Sequence, residues 1–492
     1  MNPLKKLAGQ TVIYGLSSVV GRLLNYLLVP LYTRYFLPSE YGVVTELYAY
    51  VAFLVVILTY GIETAFFRYS QRVPNKKSVY STALISLLIT SCIFVSIIYF
   101  NASPISNWLQ YPEFPEYIRW FTIIIGLDAV SAISFAKLRE QNKASRFALV
   151  RLLNIFINIG LNLFFIIYCP YALEKGLSSV EFVNSVYSAD IGVGYIFLAN
   201  LIASVVTFLM LLPEMIKSVW IFDKSLWKQM MIYGLPLLIA GLAGMTNETI
   251  DRILLKHLLP STVNSSSELG LYGAFYKLSI LMILFIQTFR FAAEPFFFAQ
   301  EKEKNARKVY ADVMKYFVII TSFIFLSVSL FYDFIILFLG ENYHDPRGFK
   351  VVSILLAANL FLGIYYNLSI WYKLSEKTKY GAYLSMFGAV ITLCLNFILI
   401  PKIGFVGSAW ATLICYVSMT VASYYLGRKH YKIPYPLKII FFYLGLVAVL
   451  YFTSMLFNSH IINSLYILIF ISIAFYLEKP KKAVISNPKL FN

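Results

Sequence analysis

Charged side chains are scarce in this chain: only 13% of its 492 residues are Asp, Glu, Lys or Arg. That is far too little polar surface to cover a water-soluble globule of this length. Histidine is almost missing. His257, His344, His430 and His460 are scattered, each assigned to a loop, and supply no nucleophile–base pair or metal-ligand spacing. The four cysteines, Cys92, Cys169, Cys394 and Cys415, fall in or at the ends of apolar runs without disulfide or metal spacing, and read as small packing residues. Long polar segments are lacking too. The widest connections, around 174–190, 257–269 and 299–312, are too short to fold as a soluble catalytic unit. These absences argue against a soluble enzyme, a disulfide scaffold and a metal or cofactor protein, so no cofactor is expected.

Apolar sequence is what the chain has instead, with 59% hydrophobic residues and a mean hydropathy of +0.72. Runs of about 18 to 25 apolar residues, the length that crosses a hydrocarbon core, recur from end to end. Fourteen are placed, centred near Arg22, Phe53, Ile89, Leu127, Ile159, Leu201, Ile239, Leu281, Ile324, Leu362, Thr392, Leu413, Val447 and Phe470. The expected fold class is an all-α integral membrane protein. The net charge of +17 belongs to the membrane as well: 29 of the 41 Lys and Arg fall in alternate loops or the termini on one side, against 7 in the loops between. This is the positive-inside pattern, which places both termini in the cytoplasm and gives the basic loops a role in topology and anionic-lipid contact, not nucleic-acid binding. Lys5-Lys6 before an apolar stretch mimics a leader peptide. The echo of Tyr14-Gly15-Leu16 in Tyr233-Gly234-Leu235 marks the first run as a retained span instead.

That echo is one of several. Tyr41-Gly42, Glu63 and Phe66-Phe67 return, 231 residues later, as Tyr272-Gly273, Glu294 and Phe297-Phe298. Lys137-Leu138-Arg139-Glu140 resembles Lys373-Leu374-Ser375-Glu376, and Leu161-Asn162 resembles Leu395-Asn396. Spans 1 to 6 therefore correspond to spans 7 to 12. Because six is even, the repeat is parallel, with its pseudo-two-fold axis along the membrane normal, as in transporters whose substrate sits between two rocking lobes. The domains expected are an N-terminal lobe over 1–217, a C-terminal lobe over 218–430, and two appended spans with a tail over 431–492.

A charge at mid-membrane costs about 2.5 to 3.5 kcal/mol, so ionisable residues within spans face a cavity or a partner. Tyr14, Ser18, Arg22, Asn25 and Tyr32 form a polar stripe along span 1. Gln287, Arg290 and Glu294 repeat that spacing on span 8, with Lys277 about three turns earlier, and span 7 ends in Glu248, Asp251, Arg252 and Lys256. Arg22, Asn25, Arg252, Lys277 and Arg290 are the candidates to line one cationic cavity. The plainer alternative is that Asp251 and Arg252, or Arg290 and Glu294, merely neutralise each other. Glu46, Glu63, Asp128 and Glu294 are candidate ion-coupling carboxylates. Arg68 beside Glu63 favours a structural ion pair there, and the same holds for Glu294, whereas Asp128 stands isolated. Arg151, Asn154, Asn158 and Asn162 line one face of span 5, where interhelical hydrogen bonding accounts for the asparagines.

Residues 395–404, Leu-Asn-Phe-Ile-Leu-Ile-Pro-Lys-Ile-Gly, leading into Gly407-Ser408-Ala409-Trp410, resemble polysaccharide flippases of the multidrug, oligosaccharidyl-lipid and polysaccharide exporter superfamily. Asp251-Arg252 followed by Leu269-Gly270-Leu271-Tyr272-Gly273 and Tyr276-Lys277 is similar to the same family, as is Gly21-Arg22 through Pro38-Ser39-Glu40-Tyr41-Gly42. The resemblance implies a V-shaped pair of six-helix lobes opening alternately to each side of a bacterial inner membrane. It implies export of an undecaprenyl-diphosphate-linked glycan, with membrane lipids around the protein and a polysaccharide polymerase and chain-length machinery as candidate partners. Spans 13 and 14 accompany the lipid-flipping branches of that superfamily. Coupling to H+, to Na+ or to the membrane potential all fit. A drug or cation exporter and a lipid II flippase are rival readings on the same fold. A membrane glycan polymerase or ligase, the rival from enzymes, is expected to carry a sizeable outer loop that this chain lacks.

Overall fold

The computed structural model describes residues 20–301, 303–457 and 459–478, so the expectations for Lys5-Lys6, Tyr14-Gly15-Leu16, Ser18 and the tail from 479 lie outside the described residues. The described residues form helices and no strands, and thirteen of these helices are long and apolar enough to cross a bilayer. They match expected spans 2 to 14. Span 1 is described as a helix over 20–26 and a second, Val29–Tyr35, with Pro30 in the first turn of the second piece. Proline lacks the N–H an inner turn requires, so the chain restarts its helix there.

Span 2 (Pro38–Ser70) opens with Pro38 in its first turn and Glu40 folded back to accept the Leu37 N–H at 2.8 Å. It is interrupted at Tyr60-Gly61, where Gly61 takes a φ of +73° and the Gly234 carbonyl of span 7 comes up against it. Span 7 (Lys224–Leu258) is capped by Asp223, whose carboxylate accepts the Leu226 N–H at 2.9 Å. At 35 residues it is about 50 Å long at 1.5 Å per residue, longer than the hydrocarbon core, so its first turns reach beyond the membrane. Span 8 is split at Ser279 into Ser265–Leu278 and Ile280–Gln300.

Two groups of helices result. Span 4 (Pro115–Glu140) packs against span 3 (Lys76–Phe100) and span 6 (Gly194–Ile216), which also holds span 5 (Ala144–Lys175). In the second group, span 12 (Phe405–His430) packs on span 10 (Arg347–Leu374) and span 11 (Lys379–Ile403), and span 11 on span 7. Spans 13 (Leu437–Phe457) and 14 (His460–Leu477) lie against span 9 (Ala306–Leu330), where Lys315 pairs with Glu478 at 2.5 Å. Apart from Phe470, span 14 is unburied, as a lipid-facing helix should be.

The end of the bundle carrying the Lys- and Arg-rich loops is called the basic end here. At the opposite end the two groups are sealed by direct backbone contact. A Cβ on Gly42 would collide with the Ser266 carbonyl, one on Gly270 with the Pro38 carbonyl, and one on Gly340 with the Thr33 carbonyl. The Gly340 N–H donates to Thr33 Oγ1 at 3.0 Å, and the Tyr343 hydroxyl donates to the Phe36 carbonyl at 3.1 Å. Tyr50 and His257 meet at 3.2 Å across the same seam. Toward the basic end, span 7 leans on spans 2 and 3 through Arg68 over Tyr233 at 4.2 Å and Trp227 Nε1 to Ser86 Oγ at 2.8 Å, while a cavity lies between spans 1 and 8.

Candidate substrate cavity

That cavity, of about 600 Å3, is walled by Arg22 of span 1, Glu248 of span 7, Gln287, Arg290, Phe291, Glu294 and Pro295 of span 8, and Tyr366 of span 10. Arg22 donates a hydrogen bond to the Gln287 side chain, joining the two lobes across the space. Arg290 lies 4.1 Å over the ring of Tyr366, a cation–π contact that steadies the guanidinium and leaves its N–H fork free to turn outward. Arg252, one turn beyond Glu248, lies 4.3 Å over Tyr276 and donates to the Glu248 carbonyl at 3.2 Å. Glu248 is subject to the charges of Arg252, Arg22 and Arg290 together. Arg22 and Arg290 thus share the cavity wall with Glu248 and Glu294, the latter neutralised by Lys373, while Arg252 lies off the wall beside Asp251. A planar guanidinium fork matches the oxygens of a phosphate or carboxylate, so the arrangement suits an anionic group.

The remaining expected residues separate. Asn25 is exposed, about one turn past Arg22, and lies outside the cavity wall. Lys277 is partly buried and feels the Arg252 charge, also off that wall. Glu294 lines the cavity and is bound by Lys373 Nζ at 2.7 Å. Glu63 is bound by Arg139, not by the nearby Arg68 that its sequence suggested, because Arg68 is turned onto Tyr233. Both repeat glutamates thus pair with the repeat's other motif: Lys137-Leu138-Arg139-Glu140 supplies the base in one lobe and Lys373-Leu374-Ser375-Glu376 in the other. The signal was present in the sequence, since both motifs recur at nearly one offset, but it required pairing residues 76 and 79 positions apart.

Glu46 is fully buried at the sealed end, where it accepts a hydrogen bond from Tyr111 while its other oxygen has no partner. Lys256 of span 7 supplies a nearby positive charge and donates to Ser266 at 2.6 Å. Tyr111 lies between spans; burial, and next the Glu46 charge, push its phenol pKa well up, which keeps it a donor. Asp128 is not isolated: Ser204 hydrogen-bonds it and Arg151 is its charge partner, with the Arg151 guanidinium 4.1 Å over Phe135. The asparagines bond as anticipated, Asn154 to Thr207 at 2.9 Å and Asn162 to Tyr32 at 2.9 Å. Glu248 stands at the centre of the charge cluster, although in sequence it had no role beyond neighbouring Arg252. Tyr366 had no signal among 38 tyrosines.

Solved structures with the same arrangement of helices include the lipid II flippase MurJ in an inward closed conformation. It is 15% identical, with a TM-score of 0.72 over 94% of this chain and 99% of that one. A multidrug resistance MATE family transporter of the MOP superfamily matches in its inward-facing conformation with 16% identity and a TM-score of 0.63, over 85% of this chain and 94% of that one. An outward-facing MATE structure matches with 15% identity and a TM-score of 0.56, over 85% and 95%. No curated protein sequence matches the chain. The family model described as polysaccharide biosynthesis protein matches residues 7–299, and the chain, a multi-pass membrane protein on a flippase-type transporter fold, belongs to that family.

Proposed function

We propose that the protein flips an undecaprenyl-diphosphate-linked oligosaccharide from the cytoplasmic to the outer leaflet of a bacterial inner membrane, for surface polysaccharide synthesis. The observation that carries this is the placement of Arg22 and Arg290 beside Glu248 on the wall of a cavity between lobes sealed at one end, with the Arg252 charge also acting on Glu248. The diphosphate docks on the guanidinium groups, the glycan occupies the cavity, and the lipid tail stays in the bilayer between spans. The lobes 1–217 and 218–430 then rock, opening the sealed end. The basic end faces the cytoplasm, and both termini lie there. Moving negative charge outward through an inside-negative potential gains about 2.3 kcal/mol per charge per 100 mV. Among the described residues Glu46, whose second oxygen has no partner, is the carboxylate best placed for coupling to H+ or Na+, and Asp128, held by Ser204 and near Arg151, is the next candidate because no salt bridge closes on it. Glu63 and Glu294 are already engaged by Arg139 and Lys373.

Deleting the gene in its host is expected to make lipid-linked glycan accumulate on the cytoplasmic leaflet. Arg22→Ala should do the same at undiminished protein level. Lipid extraction followed by glycan analysis reads the result, and it identifies a lipid II flippase by the peptide-bearing headgroup that accumulates. Unchanged lipid pools together with lost drug efflux would replace this function with drug export.

A further inference from the structure

Beside the central cavity the second lobe holds a chamber of about 300 Å3, which shares Glu248, Arg290 and Tyr366 with it. We propose that this chamber is a sugar subsite, which takes the pyranose ring attached directly to the diphosphate. The proposal rests on the flippase reading and adds a specificity element to it. Four tyrosines, Tyr365, Tyr366, Tyr372 and Tyr416, form its walls together with Ser385 and Asn247. A pyranose has an apolar C–H face and a rim of hydroxyls, and a tyrosine offers an apolar ring face with a hydroxyl at its edge. The walls are held in place. Asn247 donates to the Ser385 carbonyl at 3.0 Å, Tyr416 donates to the Asn247 carbonyl at 3.3 Å, and Tyr365 is hydrogen-bonded with Tyr372 and Ser385. Pockets for small molecules begin at about 300 Å3, room for a ring-sized ligand.

The corresponding place in the first lobe is filled differently. Asn162 and Asn396 correspond across the repeat, and the same offset relates Arg151 to Ser385. In the first lobe Arg151 lies over Phe135 and is paired with Asp128. In the second, a short hydroxyl side chain stands at the corresponding place and the space beside it is open. Arg290 lies at the junction of cavity and chamber, so a diphosphate on its fork presents the first sugar at the chamber mouth.

Gly244 lines the chamber, and a Cβ placed there meets nothing within 4 Å. Gly244→Leu therefore projects a side chain from a Cβ that meets no neighbour into the chamber, in a helix interior where leucine is preferred over glycine. Gly160, on span 5, is equally free of neighbours and lies outside the chamber, so Gly160→Leu is the control. Equilibrium binding to the full-length protein in detergent is measured with three probes: undecaprenyl diphosphate bearing no sugar, one glucose, or one N-acetylglucosamine. Wild type and Gly160→Leu are expected to bind at least one glycosylated probe about tenfold more tightly than the bare lipid. Gly244→Leu should lose that preference and bind the bare lipid as wild type does. Ala240→Leu, also on the chamber wall, repeats the measurement if Gly244→Leu melts early. Equal binding of all three probes by wild type, or an intact preference in both filled variants, overturns the subsite and leaves the flippase reading standing. Failure of wild type to bind even the bare lipid, or bare-lipid binding unaffected by Arg22→Ala, removes the flippase reading itself.

Discussion

With three guanidinium groups acting on it, Glu248 serves as the internal counter-ion of an unloaded cavity. An incoming diphosphate has to compete with it for the same arginines, so Glu248 weakens binding and speeds release. Glu248→Gln is expected to tighten the hold on undecaprenyl diphosphate about tenfold, or ~1.4 kcal/mol, while slowing transport; binding and leaflet-exchange assays on one preparation test both directions. A second charge cluster lies at the sealed end, where Arg347 forks onto Glu268 at 2.8 Å and onto Asp345 at 2.7 Å. Hydrogen bonding from Arg347 holds the Asp345 carboxyl below its ordinary pKa. A depressed native pKa contributes stability that is complete above the ordinary carboxylate range and lost as pH falls through the lowered value. Melting temperature should therefore lose this contribution only below about pH 4, and Asp345→Asn should abolish that part of the acid dependence. Of these residues, Arg22 and Arg290 were legible in sequence because a lone cation in an apolar run is costly. Arg252 and Lys277 satisfied the same criterion and Asn25 shared the stripe of Arg22, yet none of the three lies on the cavity wall, since helical periodicity fixes a stripe but not what the stripe meets.

Among the elements, the repeated Tyr-Gly pair marks the seam between lobes, Gly42 facing Ser266 and Gly273 facing Thr45, and Gly270 outside the repeat faces Pro38 there as well. Gly42 and Gly270 let spans 2 and 8 approach until backbone touches backbone, an approach that any side chain prevents. Gly270→Ala should push the two spans apart and disfavour the closed end by about 1 to 3 kcal/mol, the usual cost of overpacking. In a variant whose own cysteines are replaced, a cysteine at position 277 should then react faster with an impermeant thiol reagent applied from the opposite end. An unchanged labelling rate would show that the seam tolerates the methyl group. The spans themselves were readable because a bilayer demands long apolar helices. The breaks at Tyr60-Gly61 and Ser279 were not, because neither carries a proline and both depend on what packs alongside.

For the whole molecule, rocking requires the sealed end to open. Joining Tyr50→Cys to His257→Cys with a short thiol cross-linker, across a contact of 3.2 Å in the native pair, should stop turnover while leaving lipid binding from the basic end intact. Transport that continues after complete cross-linking would mean the lobes need not part there. The two-lobe architecture was visible from the repeated motifs and the six-span count. The long-range pairings that hold each lobe, Glu63 with Arg139 and Glu294 with Lys373, became evident only in three dimensions.

The glycine seam also has an electrical consequence. A polar cavity open at the basic end lies close to that compartment's voltage, so most of the membrane's voltage drop is concentrated across the thin plug where peptide groups of spans 2 and 8 touch. An anion resting on Arg290 has then entered the bilayer but crossed little of its electric field. Nearly all the electrical work is done in the single movement that breaks the plug, which makes that movement, more than loading, the voltage-dependent step.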